Sequence, residues 1–296
     1  VKQDETDIMI MGWMNQEELE WAVKNGVEFF VFEQEKLEEA LELAKRFNTK
    51  AVIHIEVETG MNRTGFSQKA LHKVVKLINN NKEYFHVRGL CTHYAGAESI
   101  ANQVRVQRQI KKYNRVYKWI TNRGINPELR HTACSAAAIV YPKTRMDMVR
   151  IGILQYGFWP SPETFIHFVH KRMEKSEVLK RVLNWKSQIM SIKTVKEGEF
   201  VSYGTHYMAQ EEKTIAIIPV GYAHGYSRSL SNQGRVLIHG HRVPVIGIVN
   251  MNMLIVDVTQ VNDVRKGDEV VLIGDQDGVT ITLASFADFN NQLNYE

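Results

Sequence analysis

The sequence predicts an α/β unit built on a parallel sheet, followed by an all-β unit. Through the first half, short β-rich runs alternate with amphipathic helical patterns, which is the texture of parallel βαβα folds. After about residue 178 the long helical patterns stop, and strand-like runs follow one another across turn signals. At 296 residues the chain is long enough to bury the cores of two such units.

Taken in order, strands are expected at 7–12 (DIMIMG), 28–32 (EFFVF), 51–57 (AVIHIEV), 86–93 (HVRGLCTH), 129–134 (LRHTAC) and 148–153 (VRIGI). Helices are expected at 15–25, 34–47, 67–80 and 100–123. Such a set suits either a doubly wound sheet or most of a (β/α)8 barrel. Residues 161–184 read as a connection with one short charged helix. Strands at 186–195, 214–220, 235–238, 243–249, 253–258 and 269–273, separated by signals such as "EG", "HG" and "KGD", make the second unit. The expected boundary divides 1–177 from 178–296.

Composition excludes several function classes. A hydrophobic fraction of 44% is that of a soluble globular protein. The net charge of +4 is mild and its basic residues are scattered, without interleaved aromatics, so no nucleic-acid partner is expected. No apolar run is long enough to span a bilayer, so no membrane partner is expected. The only cysteines, Cys91 and Cys134, lie in apolar strand-like stretches, which suits a reducing cytoplasmic compartment better than a disulfide scaffold. No metal is expected.

In a parallel barrel the active site lies where strands end and βα loops begin. The expected strand ends bring Arg63, His93, Ser135, Gly152 and Ile153 to one rim. A cation, an imidazole, a hydroxyl and free loop amides together suit an anionic ligand. Each also has a plain structural reading: Arg63 in a surface ion pair, His93 as a satisfied core histidine, Ser135 as a helix N-cap before "AAAIV". Arg150 stands inside the apolar run "MVRIGIL" and has no neutral form, so burial demands a partner; an exposed edge strand would instead leave it wet.

The blocks "HIEVETGMNRTGF" (54–66), "GLCTHYAGAE" (89–98), "HTACSAA" (131–137), "DMVRIGILQYGFWPS" (147–161), "EFVSYGTHYMA" (199–209), "IPVGYAHGYSR" (218–228), "VLIHGHRVPVIGIVNMNMLIVDVT" (236–259) and "GDEVVLIG" (267–274) resemble, in order, those of alanine racemases. The resemblance covers nearly the whole chain. It implies a (β/α)8 barrel followed by a C-terminal β domain, pyridoxal 5'-phosphate (PLP) as cofactor, L- and D-alanine as substrates, and a head-to-tail homodimer with shared active sites. It also implies a cytoplasmic enzyme that supplies D-alanine for the cell wall.

Residue by residue, the resemblance gives Tyr203, His93 and Arg150 catalytic roles. Arg150 would donate to the cofactor's ring nitrogen, held in turn by His131, and His93 would lie against the ring and join the relay. Ser135 with the backbone of Gly152 and Ile153 would hold the phosphate. Arg63 would take the substrate carboxylate. Tyr203 would remove the α-proton of the L-enantiomer in the partner subunit's site, with Tyr222 and Met251 completing that wall. A phenol of pKa near ~10 needs neighbouring cations to act as a base.

The sequence departs from the family pattern in several places. The Schiff-base lysine of the first barrel strand has no match, so the barrel's first two strands are expected to precede Val1, and the chain alone is expected to be inactive. Asn252, His224 and Cys134 stand where the family usually has Asp, Asp and Asn; the first of these bears on substrate choice and leaves serine or broad-specificity racemisation open. A decarboxylase of the same barrel type would put an acid where Arg150 stands. A non-catalytic PLP carrier would lack the β domain, whereas a non-catalytic racemase-like PLP-binding module stays open as the alternative while no lysine is matched. Glu56, seven residues before Arg63, occupies the position where many alanine racemases carry a carbamylated lysine that orients the arginine, and a glutamate brings a carboxylate unmodified.

Overall fold

The computed structural model describes residues 6–172 and 178–283. The chain divides into two compact units. One takes the chain up to Gln155 together with Trp159–Val178; the other takes Tyr156–Phe158 together with the chain from Leu179.

In the first unit β1 (Met9–Ile10), β2 (Glu28–Val31), β3 (Ala51–Glu56), β4 (Phe85–Cys91) and β5 (Leu129–His131) pair in parallel in their sequence order. Between them run α1 (Gln16–Lys24), α2 (Gln34–Arg46), α3 (Gln68–Asn79) and α4 (Gln103–Thr121). Right-handed crossovers that always step the same way keep the helices on one face, as in a barrel wall. The strand alternation fits this division. Phe29, Ile53, Ile55 and Val57 join Leu37, Leu71, Val74 and Ile78 of the helices in one apolar cluster. On the other face the rings of Phe30, His54 and His131 meet, with 4.9 Å between the two imidazole centroids.

Local chemistry sets the helix starts. Asn15 and Glu18 form a capping box at α1, the Asn15 side chain accepting from the Glu18 amide at 2.9 Å and the Glu18 carboxylate from the Asn15 amide at 2.8 Å. Ser67 caps α3 by accepting from the Ala70 amide at 3.2 Å.

The expected strand at 148–153 is not formed. Arg150 makes one isolated parallel bridge to Cys134, with its amide donating to the Ala133 carbonyl at 2.9 Å, and the chain then enters a 3-10 turn at Ile153–Tyr156. Its side chain, described below, holds this segment where a ladder would otherwise do so. The short helix α5 (Ser135–Val140) follows β5 over the "AAAIV" run that the plain reading of Ser135 made helical, with Ser135 as its first residue and not its cap, and α6 (Pro162–Arg172) is the helix expected in the connection.

The second unit is antiparallel. β6 (Trp185–Gln188), β9 (Arg235–Ile238), β10 (His241–Pro244), β12 (Glu269–Gln276) and β13 (Val279–Ile281) form one sheet; β7 (Ser191–Val195), β8 (Lys213–Ile218) and β11 (Leu254–Asp257) form another. The run at 186–195 is therefore two strands in two sheets, and the run at 243–249 keeps strand pairing only at its start. Val236, Ile238, Val243, Leu254, Val256, Val270 and Leu272 interdigitate in its core. No helix among the described residues is long and apolar enough to cross a membrane.

Candidate active site

Arg150 is half-buried and clamps the ends of two strands. Its Nη1 donates to His131 Nδ1 at 2.9 Å and to the His131 carbonyl at 2.7 Å, while Nη2 donates to the Thr92 carbonyl at 2.8 Å. A guanidinium carries five N–H groups, so these three bonds leave two, one on Nη2 and one on Nε, free of any described protein acceptor. The wet edge strand is thus excluded.

His131 is fully buried and so is His54, and the two rings are joined from His131 Nε2 to His54 Nδ1 at 2.8 Å. His54 Nε2 in turn meets Glu28 Oε2 at 2.7 Å, and Glu28 Oε1 accepts from Arg88 Nε at 3.2 Å. Burial lowers the pKa of both histidines; for His131, with the charge of Arg150 adding to it, the value falls to about 2.

His93 follows β4, and burial, reinforced by Arg150 and Arg63, pushes its imidazole down to about 4. Its carbonyl accepts from Gln109 Nε2 at 3.2 Å, but its ring makes no hydrogen bond among the described residues. Gln109, buried on α4, also accepts from the Ala95 amide at 3.0 Å. One helix side chain therefore pins the loop that carries His93.

Ser135 is the first residue of α5, and Cys134 occupies the cap position without a side-chain cap bond. The Ser135 hydroxyl instead accepts from the Gly152 amide at 3.0 Å. Ile153 opens the following 3-10 turn, whose first N–H groups have no partner within the turn. A β-carbon at Gly152 would meet nothing within 4 Å, so open space lies before this backbone.

Arg63 is exposed, on a loop held from several sides. The Glu58 carboxylate accepts from the amides of Gly60 and Asn62, the latter at 2.8 Å, and Arg105 Nη2 donates to the Gly60 carbonyl at 2.9 Å. Gly65, at φ +108°, lies where a β-carbon would be 2.8 Å from the Glu58 nitrogen. Glu56 is 6% exposed, and its carboxylate has no hydrogen bond or ion pair among the described residues. It does not pair with Arg63. Glu58, on the same alternation as His54 and Glu56, has left the strand and ties its own loop instead.

In the second unit Tyr203, Tyr222 and Met251 line one open groove with Ser202, Arg228 and Asn252. Tyr203 sits between Ser202 at φ +68° and Gly204 at φ +69°, so the turn projects its ring outward, 72% exposed. The Ser202 hydroxyl donates to the Ile248 carbonyl at 2.8 Å. Amides of Tyr222 and Ala223 donate to the carbonyls of Asn250 and Met251, both at 3.0 Å. His224 faces back into its own turn, its Nδ1 accepting from the Gly221 amide at 3.2 Å.

Each unit therefore gathers its own share of the expected residues: Arg150, His131, Ser135 and Gly152 in the first, Tyr203, Tyr222 and Met251 in the second. Sequence reasoning missed Glu28, whose signal was a lone charge opening the apolar "EFFVF", and Gly89, whose signal was a glycine inside a strand. Among the described residues no three His, Cys, Asp or Glu side chains gather as a metal site.

Comparison with known proteins matches both units. The family model "Alanine racemase, N-terminal domain" covers residues 2–160, and "Alanine racemase, C-terminal domain" covers 182–296. Alanine racemase of Halothermothrix orenii is 38% identical over 86% of this chain and 64% of its own length; that of Clostridium tetani is 33% identical over 98% and 73%. The solved alanine racemase of Clostridium difficile 630 is 30% identical with a TM-score of 0.86, covering 98% of this chain and 72% of that one. The chain spans 64% to 73% of the length of these relatives.

Proposed function

The chain belongs to the alanine racemase family, and on that premise we propose that its two units contribute to a PLP site interconverting L- and D-alanine. When bound, the cofactor supplies an electron-accepting ring that makes the substrate α-proton removable. The protein's residues do the rest.

The observation that carries this reading is the clamp on Arg150, which leaves two N–H donors without a protein acceptor. A guanidinium can donate a hydrogen bond but does not give up its proton, so a ring nitrogen held by Arg150 stays an acceptor. That moderates the electron demand and suits simple proton exchange. The Ser135 hydroxyl accepts from the Gly152 amide and keeps its own proton to donate, and it would hold the phosphate together with the backbone of Gly152 and Ile153. His93, neutral through burial, would lie against the ring. Arg63, exposed and free of ion pairs among the described residues, takes the substrate carboxylate.

Tyr203 is the base for L-alanine, and it serves the site of the partner subunit in a head-to-tail homodimer. Its exposure in a groove with Tyr222 and Met251 supports this assignment, since an enzyme base must reach a substrate. The cytoplasm, where cell-wall precursors are made, is the assigned compartment.

The test is Tyr203→Phe in the enzyme carrying the family's lysine-bearing strand. Without the phenol, L-alanine loses its base while the lysine still takes the α-proton of D-alanine. Solvent deuterium is expected to enter D-alanine without efficient conversion to L-alanine. Equal loss of exchange from both enantiomers would overturn the assignment of two bases.

A further inference from the structure

The line from Arg150 through His131 and His54 to Glu28 has chemically fixed ends. Arg150 can only donate. His131 Nδ1, 2.9 Å from Arg150 Nη1, therefore carries a lone pair. A neutral imidazole holds one proton, so that of His131 is on Nε2 and points at His54 Nδ1, 2.8 Å away. His54 Nδ1 is then the acceptor, and its own proton lies on Nε2, 2.7 Å from Glu28 Oε2. The carboxylate ends the line by accepting, and its other oxygen accepts from Arg88 Nε. A doubly protonated His54 would leave His131 with two acceptor nitrogens and no proton, which neutral imidazole does not permit. Every bond in the series thus runs one way, and the low pKa values of both rings agree with two neutral imidazoles.

We infer that Glu28 is a positioning residue: acting through His54, it fixes His131 as the acceptor that holds Arg150 in its donating pose. Replacing the carboxylate reverses the logic. In Glu28→Gln, Arg88 Nε retains the amide oxygen, which turns the amide NH2 towards His54 Nε2. That nitrogen must then accept, His54 protonates on Nδ1, and His131 is asked to accept on Nε2 and carry its proton on Nδ1, directly against Arg150 Nη1. The inference rests on the cofactor reading above only for what Arg150 is held to do.

Nitrogen NMR of the full chain labelled at histidine, without cofactor, reads the ring protons directly. Wild type is expected to show His54 and His131 each protonated on Nε2 alone. Glu28→Gln should move the His54 proton to Nδ1, and Glu28→Asp, which keeps a carboxylate, should restore the wild-type pattern. In the loaded enzyme Glu28→Gln should lower kcat roughly tenfold or more, the effect of losing a hydrogen bond to a charged group, with KM for alanine little changed. A wild-type His54 protonated on both nitrogens, or unaltered rings in Glu28→Gln, overturns the directed line. Reversed rings with unchanged kcat overturn the positioning role. The Tyr203 result bears on neither ring, so the two readings fail separately.

Discussion

Gly89 lies directly under His54: a β-carbon built on Gly89 would collide with His54 Nδ1 and stand 2.8 Å from both His54 Cε1 and His131 Nε2. The two residues face each other in register across β3 and β4. No side chain fits where the two imidazoles join, and glycine is used here for space and not for a special φ.

Gly89→Ala should therefore separate the two rings. The expected cost is that of an overpacked buried site, about 1–3 kcal/mol, with a further loss from the broken hydrogen bond. Chemical denaturation measures the first and histidine nitrogen NMR the second. A variant as stable as wild type, with both ring signals unmoved, would contradict the geometry.

Acid should weaken the first unit at a pH where most carboxylate pairs survive. The His131 and His54 pKa values are depressed by burial, that of His131 to about 2, against roughly 6.5 for an ordinary histidine. In the unfolded chain these rings take up protons below pH ~6.5, while in the folded protein His131 stays neutral until about 2. The unfolded state then binds more protons, so their stabilising contribution is complete above the ordinary histidine range and declines as pH falls below it. Each ring contributes a slope of up to roughly 1.4 kcal/mol per pH unit. Denaturation at pH 7 and pH 5 is expected to show this loss, smaller in His54→Gln. Equal stability at both pH values would count against neutral buried rings.

Glu56→Gln should raise stability without weakening binding. An almost buried carboxylate without a partner is costly, so the amide is expected to raise the melting temperature of the protein without substrate. In the loaded enzyme the same change should leave KM for alanine little altered, because the Glu56 carboxylate does not pair with Arg63. A loss of about 1.5–3 kcal/mol in kcat/KM, the scale for a hydrogen bond to a charged group, would mean instead that the two side chains meet once substrate is bound. Activity should be the same in carbon-dioxide-free buffer as with bicarbonate. Restoration of lost activity by bicarbonate would assign the anion to another group.

The helices of the first unit were legible because their caps and periodicity are local. "NQEE" starts α1 through a capping box, and Ser67 starts α3. The segment around Arg150 has the apolar run of a strand, whereas what fixes it is a guanidinium bonded to carbonyls 19 and 58 residues away. The hairpin joining β12 to β13 carries a local signal of its own: Asp277 at φ +50° and Gly278 at φ +79° form the two-residue turn that "DG" favours. The line from Glu28 to Arg150 could not be read locally at all, since its members come from β2, β3, β5 and the segment after α5, and only the fold brings them together.

The single direction of that line also determines what it cannot conduct. Passage of a proton along a row of hydrogen bonds requires each member to accept on one side while releasing on the other, and then to turn back before the next transfer. Here Arg150 has no lone pair to receive with, and each ring is held against turning by a hydrogen-bond partner at both of its nitrogens. The row is an insulator: it carries orientation inward from the Glu28 carboxylate while keeping solvent protons from reaching Arg150 by that route.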